Sequence, residues 1–140
     1  MYDLSRFLEA QKNSYDTALR EIRAGRKRSH WMWYIFPQIR GLGYSAMAQH
    51  YAIRDLGEAR EYLRHPLLGP RLIEISEALL SLDEPDPRRV MGSPDDLKLR
   101  SCMTLFQCAA PDQPVFGKVL DKFYGGRPDE RTLEILNRGR

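Results

Sequence analysis

The sequence predicts an all-α protein: a single compact domain of about seven short helices in an orthogonal cluster, interrupted by one long ordered aromatic loop. Three observations carry this reading. Apolar residues recur at three- and four-residue steps through most of the chain, which is the spacing of one helix face. Capping residues, prolines and glycines bound these runs where helices start and stop. No segment alternates with period two over a useful length, so no strand is expected. A chain of 140 residues can bury a core of its own, and no linker divides it, so residues 1–140 are read as one domain.

The elements follow in order. Leu4, Phe7 and Leu8 mark a first helix; Tyr15, Ala18, Leu19 and Ile22 mark a second, capped by Ser14 and stopped at Gly25. The aromatic loop comes next, and a short helical piece is expected from Ala46 to Tyr51. Asp55 with Glu58 three residues on is a capping box. The helix that it opens should end near Arg64, because Pro66 disfavours helix in the residue before it. Gly69-Pro70 restarts the chain with Pro70 at the first helical position, and Leu72, Ile75, Leu79 and Leu82 form one buried stripe. A surface connector, Asp83 to Pro87, leads into a short turn at Arg88 to Met91. Ser93-Pro94-Asp95-Asp96 reads as a capping serine, a proline in the first position and acids in the first turn. Leu97, Ser101, Cys102, Leu105 and Phe106 are assigned to the inward face of that helix. Phe116, Val119, Leu120 and Phe123 lie on the next, ended by Gly125-Gly126, and a last helix starts at Asp129.

Composition bounds the function classes. The net charge is +3, and the basic residues, 17 Arg and 5 Lys, are spread along the chain with one dense run, Arg26-Lys27-Arg28. Such a pattern permits nucleic-acid binding without indicating it, since the expected footprint is a basic stripe on one face. Cys102 and Cys108 fall in one helix, roughly 240° apart around it, so no mutual disulfide is expected. The amino terminus lacks the apolar core of a signal peptide and no segment approaches a membrane span, so the reading is cytoplasmic with no membrane partner. His30, His50 and His65 are scattered without ligand spacing, so no metal is expected, and no cofactor is indicated. The oligomeric state is left open.

The stretch from His30 to Ser45, HWMWYIFPQIRGLGYS, stands apart. It holds both tryptophans and then turns into Pro37, Gln38, Arg40, Gly41 and Gly43. Two glycines let a backbone approach a ligand closely, and successive N–H groups can form an anion nest. Arg40 supplies a charged fork and Gln38 both donates and accepts. If a short helix begins after Ser45, its amino terminus adds a further anion-binding element. The plainer alternative is a sharp turn with Arg40 solvated. Trp31, Trp33 and Phe36 likewise serve either as core anchors or as the wall of a pocket that stacks a flat group. On the later helix, Lys98, Ser101 and Thr104 follow at three-residue steps and could form a polar wall for a phosphate or carboxylate. The alternative is a capping aspartate, a snorkelling lysine and two helix-bonded hydroxyls.

Several segments carry a family resemblance: RFLEAQ at Arg6 to Gln11, the run from His30 to Ser45, and YAI at Tyr51 to Ile53. Further pieces are EAREYLRHPLLGPRL at Glu58 to Leu72, DDLKLRSCMTLF at Asp95 to Phe106, and VLDKFYGGRPDERTLEIL at Val119 to Leu136. Together they resemble an uncharacterised bacterial family, the domain of unknown function numbered eighteen-ten, over nearly the whole chain. Its most specific run here is W-x-W-x-x-F-P-Q. The resemblance implies a compact all-helical fold and carries no established activity. Some members bear a calpastatin-like label, and nothing in these residues supports protease inhibition. HPLLGPRL, at His65 to Leu72, is also loosely similar to helical ADP-ribose-processing domains.

Two functional readings follow. The first is one pocket for an anionic small molecule, nucleotide- or ADP-ribose-like, bound by Trp33, Gln38, Arg40, Gly41, Gly43, Ser45, Lys98, Ser101 and Thr104. If catalysis accompanies binding, the class is metal-free hydrolysis with Asp96 or Asp95 as general base for a water. The second is a non-enzymatic interaction module that contacts protein or nucleic acid through the aromatic loop.

Overall fold

The computed structural model describes residues 2–138. Among these residues the chain forms ten helices: α1 (Ser5–Gln11), α2 (Tyr15–Arg23), α3 (Met32–Ile35), α4 (Ala46–His50), α5 (Leu56–Arg64), α6 (Leu68–Leu80), α7 (Pro87–Met91), α8 (Asp95–Ala109), α9 (Pro114–Tyr124) and α10 (Glu130–Arg138). Extended pairing among them is limited to one isolated parallel bridge between Ile39 and Ile53. The count of about seven is therefore corrected to ten. Two of the additional elements, α4 and α7, are the short pieces expected at Ala46 to Tyr51 and Arg88 to Met91, which the count of seven left out; the third, α3, has four residues and is too short for a periodic pattern to declare it. The aromatic stretch is corrected with them. It contains α3, because Met32 and Ile35, three apart, both turn into the core.

Local signals account for most boundaries. Asp55 Oδ1 accepts the Glu58 N–H at 2.9 Å, which is half of a capping box. The Glu58 carboxylate, however, returns to the N–H of Arg54 at 2.8 Å and to Arg6 at 3.0 Å. Asp86 and Gln113 cap α7 and α9 through their side chains, and Gly125 closes α9 in the left-handed region. Four expectations are corrected. Ser14 precedes α2 but makes no side-chain cap; its hydroxyl oxygen accepts the Tyr34 hydroxyl at 3.0 Å. Ser93 makes no side-chain cap, since the residue preceding α8 is Pro94, joined to Ser93 by a cis peptide. Helix α6 starts at Leu68, where the His65 ring accepts the N–H groups of Leu67 and Leu68. Pro70 is thus its third residue, still within the turn whose N–H groups lack intrahelical partners. Leu97 is 56% exposed rather than inward-facing.

Helix α8 lies at the centre and touches α5, α7, α9 and α10; α6 packs on α2, α5 and α9, and α1 on α3. A chain of rings crosses the core: Phe7 to Tyr62 at 5.1 Å, Tyr62 to Phe106 at 5.4 Å, and Phe106 to Phe116 at 5.8 Å. Burying each such side chain contributes on the order of 1.5–3 kcal/mol. Helix α4 is the exception, with no buried residue. It is held over the molecule by its neighbours rather than by a core face. Among the described residues no helix is long and apolar enough to cross a membrane.

Candidate functional site

The aromatic segment is fixed by two polar residues of the first helices. The Glu21 carboxylate accepts the N–H groups of Arg28 (2.7 Å) and Ser29 (2.9 Å), the Ser29 hydroxyl, and the indole N–H of Trp31 (2.9 Å). Burial pushes this carboxyl up, but the four hydrogen bonds outweigh it and hold it at about 2. Gln11, itself buried, donates to the Tyr34 carbonyl at 2.8 Å and to the Tyr62 hydroxyl at 2.9 Å. Trp31 and Phe36 are thereby core anchors, at 1% and 0% exposure.

Beyond Pro37 the chain is pinned a second time. Arg40 N–H donates to the Ile53 carbonyl at 2.8 Å, and Ile53 N–H donates to the Gln38 carbonyl at 2.8 Å. Between these points the glycines bend the backbone. Gly41 has φ +103°, and a Cβ there would also meet Ile135 at 3.3 Å. A Cβ on Gly43 would lie 2.7 Å from the Ala48 Cβ, so only glycine lets α4 fold back this closely. Ser45 accepts the Ala48 N–H at 3.1 Å and caps α4. The loop and α4 together thus form a compact hairpin.

Beneath that hairpin lies a cleft of about 130 Å³. It is lined by Trp33, Gln38, Arg40, Gly41 and Gly43 from the aromatic segment and by Lys98 from α8. Ile39, Leu42, Ala48, Gln49, Tyr51 and Ala52 complete the walls. Sequence spacing does not point to these six; the one local signal is the cap at Ser45, which brings Ala48 and Gln49 back over the glycines. Lys98 Nζ lies 5.7 Å from the centre of the Trp33 ring and 3.5 Å from Asp95 Oδ1. The Arg40 guanidinium makes no ion pair among the described residues. Trp33 is partly exposed, whereas the Trp31 indole is sealed on the Glu21 carboxylate.

The remaining candidates fall outside the lining. Ser45 serves as the cap. Ser101 donates to the Leu97 carbonyl at 3.2 Å. Thr104 donates to the Arg100 carbonyl and accepts the Asp129 N–H, each at 2.8 Å. Both hydroxyls are thus occupied within the fold, and the row from Lys98 contributes its lysine alone to the cleft. Asp95 is engaged through both oxygens, by Lys98 and by Lys27 at 3.0 Å. Asp96 is buried, with Oδ1 making no hydrogen bond in the protein, and it does not line the cleft. Among the described residues no three His, Cys, Asp or Glu side chains converge as metal ligands would.

Fold and site together define a small helical protein with a cation-lined cleft under a short glycine-bent hairpin. Comparison with known proteins places it. The model of a family described as protein of unknown function (DUF1810) matches residues 1–136, and the chain belongs to that family. The crystal structure of the conserved hypothetical protein Rv1873 from Mycobacterium tuberculosis is similar at a TM-score of 0.95 and 48% identity, over 97% of each chain. No curated protein matches.

Proposed function

We propose that this protein binds an anionic small molecule, nucleotide- or ADP-ribose-like, through the cleft beneath α4. One observation carries the reading: the unpaired Arg40 and the partly exposed Lys98 line the same cleft as Trp33. Two cations beside an aromatic wall suit a phosphate or carboxylate attached to a flat or sugar-like group. Size refines this. Pockets that enclose a whole drug-sized ligand run to about 300–1,000 Å³, and the cleft offers about 130 Å³. It would take a terminal phosphate or sugar-phosphate, with the rest of the ligand lying across the hairpin. A cytoplasmic location is part of the same reading.

Binding is favoured over hydrolysis. The carboxylate closest in the ion-pair network, Asp95, has both oxygens held by lysines, which leaves it poorly placed to take a proton from water. Thermal shift against inorganic phosphate, AMP and ADP-ribose tests the reading. We expect stabilisation by at least one of the three, abolished by Arg40→Ala and by Lys98→Ala. No shift with any of them, or a shift that both variants retain, would overturn it.

A further inference from the structure

The basic run Arg26-Lys27-Arg28 takes no part in the cleft, yet the fold gives it a partner. Lys27 N–H donates to the Val90 carbonyl at 2.7 Å, which docks the connector after α2 against α7. Lys27 itself is buried to 8% side-chain exposure; its ammonium pairs with Asp95, donates to the Ser29 carbonyl at 2.6 Å and lies 4.9 Å from the Trp31 ring centre. This rigid post sets Arg26 beside Arg88 and Arg89, which come from a distant part of the sequence. The result is a groove of about 440 Å³ lined by Arg26, Lys27, Arg88, Arg89, Val90 and Gly92.

No acidic side chain lines that groove. The nearby acids pair with two of the groove's own cations: Glu84 and Asp86 lie 3.4 and 4.0 Å from Arg89, and Asp95 holds Lys27, which leaves the charge of the groove to Arg26 and Arg88. Arg26 and Arg88 make no ion pair among the described residues. Bringing unpaired guanidinium groups together raises a repulsion that a bound anion relieves.

We propose that this groove binds the phosphodiester backbone of nucleic acid. Its character selects that ligand over a compact phosphorylated metabolite. The free cations are exposed arginines on an open surface, suited to forked contacts with successive phosphates. No aromatic side chain lines the groove, so there is nothing to stack or read a base. The binding is accordingly sequence-independent and salt-sensitive. It rests on residues separate from the cleft and stands or falls apart from the reading given for it.

Fluorescence anisotropy with labelled single-stranded and duplex DNA of mixed sequence tests this. At about 50 mM salt we expect dissociation constants in the range of about 1–100 μM, indifferent to sequence. The double variant Arg26→Ala/Arg88→Ala should weaken binding at least about tenfold and lower the salt slope by nearly one for each phosphate that is no longer neutralised. Arg40→Ala should leave binding unchanged. Both arginines of the double variant are exposed, and an unaltered melting temperature confirms that it folds. Three results would overturn the proposal. These are no binding at low salt, binding that the double variant retains, or displacement of DNA by an equal phosphate concentration of tripolyphosphate, which marks a compact-anion site instead.

Discussion

Lys27 and Lys98 hold opposite oxygens of one carboxylate. Lys27 Nζ lies 3.0 Å from Asp95 Oδ2 and Lys98 Nζ lies 3.5 Å from Oδ1. Each lysine also sits over a different tryptophan, Lys27 over Trp31 and Lys98 over Trp33. Asp95 therefore fixes a buried cation on one side and competes with any incoming anion for a partly exposed cation on the other. Asp95→Asn should have two opposite effects. Stability falls by about 1–3 kcal/mol, because Lys27 loses the charge that offsets its burial. Affinity for phosphate at the cleft rises, by up to about fivefold, taking about 1 kcal/mol for an i,i+3 pair whose lysine still reaches solvent. Urea unfolding and calorimetric titration read the two effects separately. Weaker phosphate binding in this variant would contradict the competition.

Acid sensitivity should centre on Glu21. Its carboxyl is held at about 2 in the fold against 4.5 ordinarily. A depressed carboxyl contributes its stability fully above the unfolded value, and that contribution is lost as pH falls from about 4.5 towards about 2. Glu21→Gln should lower stability at neutral pH by roughly 1–3 kcal/mol and flatten the decline across that window. Urea midpoints measured from neutral pH down to about pH 2 decide it. An unchanged acid limb in the variant would show that other carboxylates control it.

Gly43→Ala separates the hairpin from the core. The added Cβ meets Ala48 at 2.7 Å and must push α4 outward. Because α4 buries no residue, the melting temperature should move by no more than about 2 °C. Ligand-induced stabilisation, in contrast, should drop sharply. A large loss of stability would mean that α4 matters to the core after all.

Lys122 is a helix stop made of a side chain. Its ammonium donates to the carbonyls of Leu79 and Leu80 at 3.1 Å each, and to that of Leu82. Leu79 and Leu80 belong to the last turn of α6, whose carbonyls have no partners within the helix. Lys122→Met keeps the apolar stem and removes the donors, so we expect a loss of about 1–3 kcal/mol in the unfolding free energy. Wild-type stability in this variant would reduce the contact to a passive one.

The sequence declared those features whose physics is local. Asp55 and Gly125 act on N–H and C=O groups within a few residues, so their caps are legible directly. Expectation and structure part where a residue has two local roles open. Ser93 has the right chemistry for a cap but precedes a proline that itself occupies the position before α8. Leu97 fits an inward stripe in a helix whose buried residues go most of the way round, so periodicity does not choose its side.

The site divides the same way. Its glycine-bent loop, with Gln38, Arg40, Gly41 and Gly43, is legible because a backbone that bends at two glycines near a capped helix is a short-range event. Which tryptophan is sealed and which lines a cleft is not legible. Trp31 is buried because Glu21, on α2, takes its N–H. Trp33 stays partly exposed, and the residue that comes to rest over its ring, Lys98, arrives from α8. Thr104 is occupied because the connector before α10 lays the Asp129 N–H on it. Each outcome depends on a partner distant along the chain, and helical spacing carries no information about which distant element arrives. The sequence by itself determined the longer helices, the caps at Asp55 and Gly125 and the bend of the loop. Only the tertiary structure decided which charged and aromatic side chains were satisfied inside the fold and which remained available on its surface.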